Sequence, residues 1–493
     1  MCSITFERRI WRIHPWFWCL CFSNQHSSAK VVRLRSLKSK VQSLKSEVKR
    51  PTANGEQVNE IGNVKSRRLK WPKGRALVVT TVALLLAGMV TPARGQEAIQ
   101  MSMASAEAAE ARHKAASSIG YYDLKLGPTA WNFGVGLEVD YNSNVNNTES
   151  NPEGDFIFRP QINTRMLWPV SEQNSINLAL GGGYSAYVKN PKLDQVFIAP
   201  GSELSFDLYA GDFWINLHDR FSISENSYQD PSVAGTGNYS QLQNALGMVT
   251  TWDLNKVIAK IGYDHVNYDS LGSGSAQNSG AQPSGYSEVF SASAGYTLKP
   301  GMLLGAELGG SLINYNTTTT NQPYSDATQW NVGGFYDTPL SEYIHFTAHA
   351  GYTVYSPRSS GATTSSGDFS GIYAQIDVRH RVNQYMEYSL SGGRNLNVAF
   401  FGGTVDRYFV RWQANWQVVR KVTLATSMTY EHGSYLYAGA ETYNQYGPGI
   451  SLSRPITSKL ISSLGYQCYL RDSDLQGRNY TVNVVSLSLN YAF

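Results

Sequence analysis

From Thr129 onward, apolar and polar residues alternate one by one. Trp131, Phe133, Val135, Leu137, Val139 and Tyr141 hold one parity, and Asn132, Gly134, Gly136, Glu138 and Asp140 hold the other. A period of two is a strand with one apolar and one polar face. The pattern returns in Phe156, Phe158, Ile162, Met166 and Trp168, in Ile344 through Val354, in Tyr408 through Trp416, and in Val422 through Tyr430. The chain ends on it, with Val485, Leu487, Leu489, Tyr491 and Phe493 on one face. Many of these stretches reach about ten residues, the length at which a tilted strand crosses a bilayer. Their polar faces carry Gly, Ser, Asn, Gln and charges, too hydrophilic for a soluble core. Their aromatics gather near strand ends, as an interfacial girdle requires.

The connections alternate as well. Short ones, such as Ala210-Gly211-Asp212, Lys299-Pro300-Gly301 and Val419-Arg420-Lys421, take turns with long ones rich in Asn, Ser, Thr and Gly. The long ones run roughly over 142–154, 224–238, 269–285, 315–326, 356–368, 395–405, 431–442 and 471–480, with a shorter link at 189–195. Short turns on one side and long loops on the other are the topology of a transmembrane barrel. The expected fold is all-β: a transmembrane antiparallel up-and-down β-barrel of about 16–18 strands, 18 preferred, with a short helical or disordered N-terminal segment. A soluble propeller would repeat its connections blade by blade, and no such repeat occurs. A barrel of this size leaves an aqueous channel.

The N-terminal part reads differently. Ala76 to Val90 is one apolar run, preceded by Lys65, Arg67, Arg68, Lys70, Lys73 and Arg75 and followed by Thr91-Pro92-Ala93-Arg94-Gly95. A basic head, an apolar core and a small-x-small site make a secretory signal, cleaved near Gly95. The expected division is 1–63, a disordered extension or one lying upstream of the true translation start; 64–95, the signal peptide; 96–128, an Ala/Glu-rich periplasmic helix or tail; and 129–493, the barrel. Cleavage changes the charge. Taking the 18 Lys/Arg and 4 Asp/Glu of residues 1–95 from the 41 and 37 of the whole chain leaves 23 basic and 33 acidic residues, a net −10. The +4 of the full sequence is then no sign of a nucleic-acid partner. Three of the four cysteines precede the cleavage point, so Cys468 stays without an intramolecular disulfide.

Strand parity turns a set of charges inward. The expected pore-lining residues are Glu138, Asp140, Arg159, Arg165, Arg220, Glu307, Asp377, Arg379, Glu387, Arg407 and Arg411, with His218 beside them. Their bland reading is a wet wall of mixed charge; the sharper one is a field that tunes which solutes pass. Both signs are present, so no ion selectivity follows. No Gly-x-Ser-x-Gly elbow, His-Glu-x-x-His or phosphate loop occurs. No catalytic residue, metal or cofactor is expected, and the chain is read as not an enzyme.

The stretch Asp140-Tyr141-Asn142-Ser143-Asn144-Val145, followed by Asp155-Phe156 and Pro160, resembles the start of the beta-barrel porin family of the second type. The terminal strand resembles the C-terminal signal by which bacterial outer-membrane barrels are recognised for assembly, with Tyr491 and Phe493 as its aromatics. The resemblance covers about 129–493. It implies a Gram-negative outer-membrane channel for passive diffusion of small hydrophilic solutes. The expected partners are outer-membrane lipid and lipopolysaccharide, the barrel assembly machinery and the solutes, with a homo-oligomer left open. The alternative is an accessory barrel of an exopolysaccharide export system, ahead of a barrel enzyme or a surface adhesin.

Overall fold

The computed structural model describes residues 122–224, 231, 233–235, 237, 240–271, 284–316, 326–358, 368–398, 404–436 and 441–493. The expectations for 1–63, 64–95 and 96–121 lie outside the described residues. A three-residue strand, β1 (Leu124–Leu126), precedes eighteen long ones. These are β2 (Thr129–Asn142), β3 (Asp155–Pro169), β4 (Ser175–Tyr187), β5 (Gln195–Ala210), β6 (Phe213–Ser224), β7 (Gln241–Asp253), β8 (Val257–Ser270), β9 (Gly285–Lys299) and β10 (Met302–Tyr315). They continue with β11 (Ala327–Pro339), β12 (Ile344–Pro357), β13 (Phe369–Asn383), β14 (Met386–Val398), β15 (Thr404–Val419), β16 (Val422–Tyr435), β17 (Thr442–Pro455), β18 (Leu460–Ser473) and β19 (Tyr480–Ala492).

From β2 to β19 each strand pairs antiparallel with the next, and β19 returns to pair with β2, from Val484↔Asn142 to Ala492↔Gly134. The eighteen strands therefore close into one barrel. Closure removes the open edges that would leave backbone groups unpaired in a bilayer, each at a cost of several kcal/mol. The seam runs short at one end, because β19 does not reach the first residues of β2. There β1 completes it, pairing Leu124 with Trp131 and Leu126 with Thr129. Asp123 accepts the Phe133 N–H at 2.7 Å, and the Phe133 carbonyl accepts the Phe493 N–H at 3.1 Å. Residues 124–126, within the stretch expected as helix or tail, are thus strand.

Short connections of two to five residues alternate with longer ones of five to sixteen. The tight turns are set by residues that accept positive φ, Gly211 at 62° and Asn255 at 64°. The last three long connections shrink to 399–403, 436–441 and 474–479, less than the sequence suggests. Their flanking polar residues continue the ladder, because a backbone hydrogen bond needs no apolar side chain. Short connections mark the turn end of the barrel below, and long ones the loop end.

Candidate functional site: the lumen wall

One parity on every strand faces outward. On β2 the exposed set includes Val135, Leu137 and Tyr141; on β19 it includes Val485, Leu487, Leu489 and Tyr491. Tyr491 and Phe493 lie on this face, their rings 5.2 Å apart and edge-on. The register carries the opposite parity around the inside, and it pairs Glu138 with Arg159 and Glu203 with Arg220.

Most of the expected pore-lining charges meet a partner there. Arg159 contacts both Asp140 and Glu138, and donates Nε to Ser185 Oγ at 3.2 Å. Arg220 lies 2.7 Å from Glu203, and Arg379 lies 2.7 Å from Glu387. Glu307 accepts from Tyr373 at 2.7 Å and contacts His349 Nδ1 at 2.9 Å. Arg407 approaches Glu431 at 3.5 Å and donates to Asn395 at 3.0 Å. Arg407 and Arg411 flank the ring of Phe409, at 5.3 and 4.9 Å. Asp377 accepts from Gln375 at 2.8 Å. Arg165 stays exposed, six residues along β3 from buried Arg159, so those two do not converge.

Two inward contacts cross intervening strands over glycine. In one register row His218 on β6, Gly247 on β7 and Asp264 on β8 stand side by side. His218 Nε2 reaches Asp264 Oδ1 at 2.6 Å across the bare backbone of Gly247, and a Cβ there would collide with that carboxylate. His218 Nδ1 faces Asn216 Oδ1 at 3.0 Å, and Asn216 in turn donates to Asp207 at 2.7 Å. Tyr373 on β13 likewise lies over Gly351 and Gly333 to reach Glu307 on β10. The effect is to hold charged groups flat against the wall instead of across the channel. Replacing Gly247 with Val is expected to push His218 off Asp264 and leave a buried carboxylate without its partner. Such losses cost about 3 kcal/mol, which denaturant unfolding of the folded barrel in detergent would measure.

The described residues between β6 and β7 include some that lie inside the barrel. Val233 is fully buried, and Ala234 packs on Tyr480, Val482 and Val484, which share the inward parity of β19. The Gly235 N–H donates to the Asn147 carbonyl at 2.9 Å. Arg471 donates Nε to the Pro231 carbonyl at 2.7 Å. Its side chain is wholly buried, 2.6 Å from Glu441 and 4.7 Å from the Tyr443 ring centroid. Glu441 also pairs with Arg478 at 2.8 Å. A strap is thereby fastened along the inside of the seam, near the loop end.

The Asp140–Val145 stretch shapes what the strap rests on. Asn142 Oδ1 accepts the Asn144 N–H at 2.8 Å, and Asn144 Nδ2 donates to the Thr148 carbonyl at 2.8 Å. Val145 is buried with Ile157, Tyr187 and Leu193. These Asn side chains are spent on the backbone of the loop whose Asn147 holds Gly235. Alternation alone marks Asp207 and Asp264 as inward. It cannot reveal the Gly247 crossing or the Arg471 fastening, which depend on register and on contacts hundreds of residues apart.

The sequence matches the profile of the family described as Putative beta-barrel porin 2 over residues 132–493. Among curated proteins none matches. Among solved structures the chain is similar to a BenF-like porin from Pseudomonas fluorescens Pf-5, at 12% identity over 74% of this chain and 99% of that one, with a TM-score of 0.44. It is also similar to OccK2 (OpdF) of Pseudomonas aeruginosa, at 11% identity over 74% and 98%, with a TM-score of 0.45. The family match runs from within β2 to the last residue, and the chain belongs to the Putative beta-barrel porin 2 family.

Proposed function

We propose that this barrel is an outer-membrane channel for passive diffusion of small hydrophilic solutes. The observation that carries the reading is a closed eighteen-strand wall with a polar inner face and a strap of the chain held inside it. The loop end faces the cell exterior and the turn end the periplasm, after export by the signal at 64–95. The inward charges that are not buried, exposed Arg165 and Arg379 with half-buried Asp377 and Glu387, meet passing solutes. The buried pairs around Arg159, Arg220, Glu307 and Arg407 hold the wall in shape. The strap narrows the passage near the loop end and sets the size limit. The lumen makes and breaks no bond. Tyr491 and Phe493 are the mark read by the assembly machinery, and the outward apolar face contacts lipid and lipopolysaccharide. Purified full-length protein in a planar bilayer is expected to give stepwise conductance with a sharp solute cut-off. A silent bilayer with correctly folded protein would sink the reading.

A further inference from the structure

The lipid-facing side of β16 and β17 carries a polar group that the channel does not use. His432, Ser434, Asn444 and Thr442 share the outward parity of exposed Met428 and Tyr446. His432 pairs across the strands with Asn444, and Ser434 with Thr442. His432 Nδ1 lies 3.0 Å from Asn444 Oδ1, and the Tyr430 hydroxyl donates to the same oxygen at 3.0 Å. An amide oxygen only accepts, so the histidine proton sits on Nδ1. That leaves the Nε2 lone pair of the neutral ring as a base. Ser434, two residues on, puts a hydroxyl on the same face, with Cβ about 7 Å from that of His432. Its Oγ rests 3.4 Å from Thr442 Oγ1, a long contact. A nucleophilic role requires a χ1 rotation that turns this hydroxyl toward Nε2. The pattern is a nucleophile, a base and an orienter.

Among the described outward histidines this combination is peculiar to His432. His265 holds Glu288 at 2.9 Å, but its same-face neighbours are Tyr263 and Asn267. His380 holds the Tyr388 hydroxyl at 3.0 Å between Val378 and Val382. The place is also apt. Tyr430 and Tyr446 lie just toward the turn end with ring centroids 5.1 Å apart, as a girdle at the headgroup boundary would. Ester carbonyls of membrane lipids sit at that depth.

We propose that Ser434, His432 and Asn444 form a lipid-facing acyl-ester hydrolase site that takes an acyl chain from a lipid of the outer leaflet. This departs from the expectation that no residue is catalytic. It rests on the outer-membrane orientation above, but not on the channel. Ser434 Oγ adds to the ester carbonyl carbon while His432 Nε2 takes the hydroxyl proton. The intermediate collapses, the bond to the alcohol oxygen breaks, and the alcohol leaves with the proton from Nε2. Water then attacks the acyl-serine with the same base, releasing the fatty acid and restoring Ser434. Thr442 offers its hydroxyl to the developing oxyanion. Arg394, 2.8 Å from Asp406, neutralises the carboxylate that faces Ser434 across the β15–β16 pair. Asn444 and Tyr430 are positioning residues.

The test uses the full-length protein in mixed micelles with a long-chain p-nitrophenyl ester, and a fluorophosphonate probe read by peptide mass spectrometry. Wild type is expected to hydrolyse the ester and to be labelled at Ser434. S434A and H432Q should each lose activity on the order of 10³-fold. Asn444→Leu should lower the rate and distort its pH profile, and Asn444→Asp should restore it. All should keep the bilayer conductance of wild type, since these side chains face away from the lumen. Folded wild type that neither turns over the ester nor takes the label overturns the proposal, as does activity that survives S434A. Loss of conductance with hydrolysis intact would instead count against the channel.

Discussion

Exchanging Arg471 for Met is expected to raise single-channel conductance and to cost about 3 kcal/mol of stability. Among the described residues, Arg471 ties the strap to the wall through charge, hydrogen bonding and ring contact together. It holds the Pro231 carbonyl at 2.7 Å, Glu441 at 2.6 Å and the Tyr443 ring at 4.7 Å, with no exposure. Methionine fills much of the volume but accepts no role toward the carbonyl or the carboxylate. Glu441 then keeps Arg478 and the Ser473 hydroxyl, and Pro231 loses its donor. Without that anchor the described residues of the strap keep the Gly235 hydrogen bond, the Ala234 contact and the approach of Gly237 to Val145, and the passage is expected to widen. Conductance in planar bilayers and denaturant unfolding in detergent would read the two effects. The exposed Arg165, changed to Gln, serves as the contrast: solute and ion preference should shift while stability holds. Unchanged conductance in Arg471→Met would show that the strap does not limit flow.

Placing Arg at Leu487 is expected to block assembly to a large extent. Leu487 is 48% exposed on the outward face at the middle of β19, paired with Val139 across the seam and with Leu464 on β18. A guanidinium at the middle of a lipid face costs about 2–4 kcal/mol. The seam magnifies the consequence, because β19 and β2 are joined by no turn and meet only when the whole chain has assembled. A strand pair that fails there leaves two unpaired edges in the bilayer. Leu487→Phe keeps the apolar face and should assemble normally. Deleting Phe493 should also impair assembly, since its N–H closes onto Phe133 at 3.1 Å. The heat-dependent mobility shift of folded barrels on a gel measures all three. Normal yields for Leu487→Arg would mean the seam tolerates charge from its lipid side.

Several features are legible in the sequence alone. Alternation in Trp131–Tyr141 and Val485–Phe493 marks strands with one apolar face, because side chains on an extended backbone alternate whatever surrounds them. Alternating turns and loops gave the up-and-down order and the preference for eighteen strands, which the closed sheet confirms. Parity also separated Glu138, Arg159 and Glu307 from the lipid face. Their partners were out of reach, since Glu307 meets Tyr373 only through the registers of three strand pairs.

The sequence by itself therefore determined the faces, the count and the order of the strands, because each depends on neighbours one or two residues away. Tertiary structure alone decided which inward charges are spent on the wall and which stay exposed. It alone placed Val233 and Ala234 inside the barrel, and it alone set Asn444 against His432 on the outer face. Each of these follows from register, and register is settled only when every backbone donor and acceptor finds its partner around the closed ring.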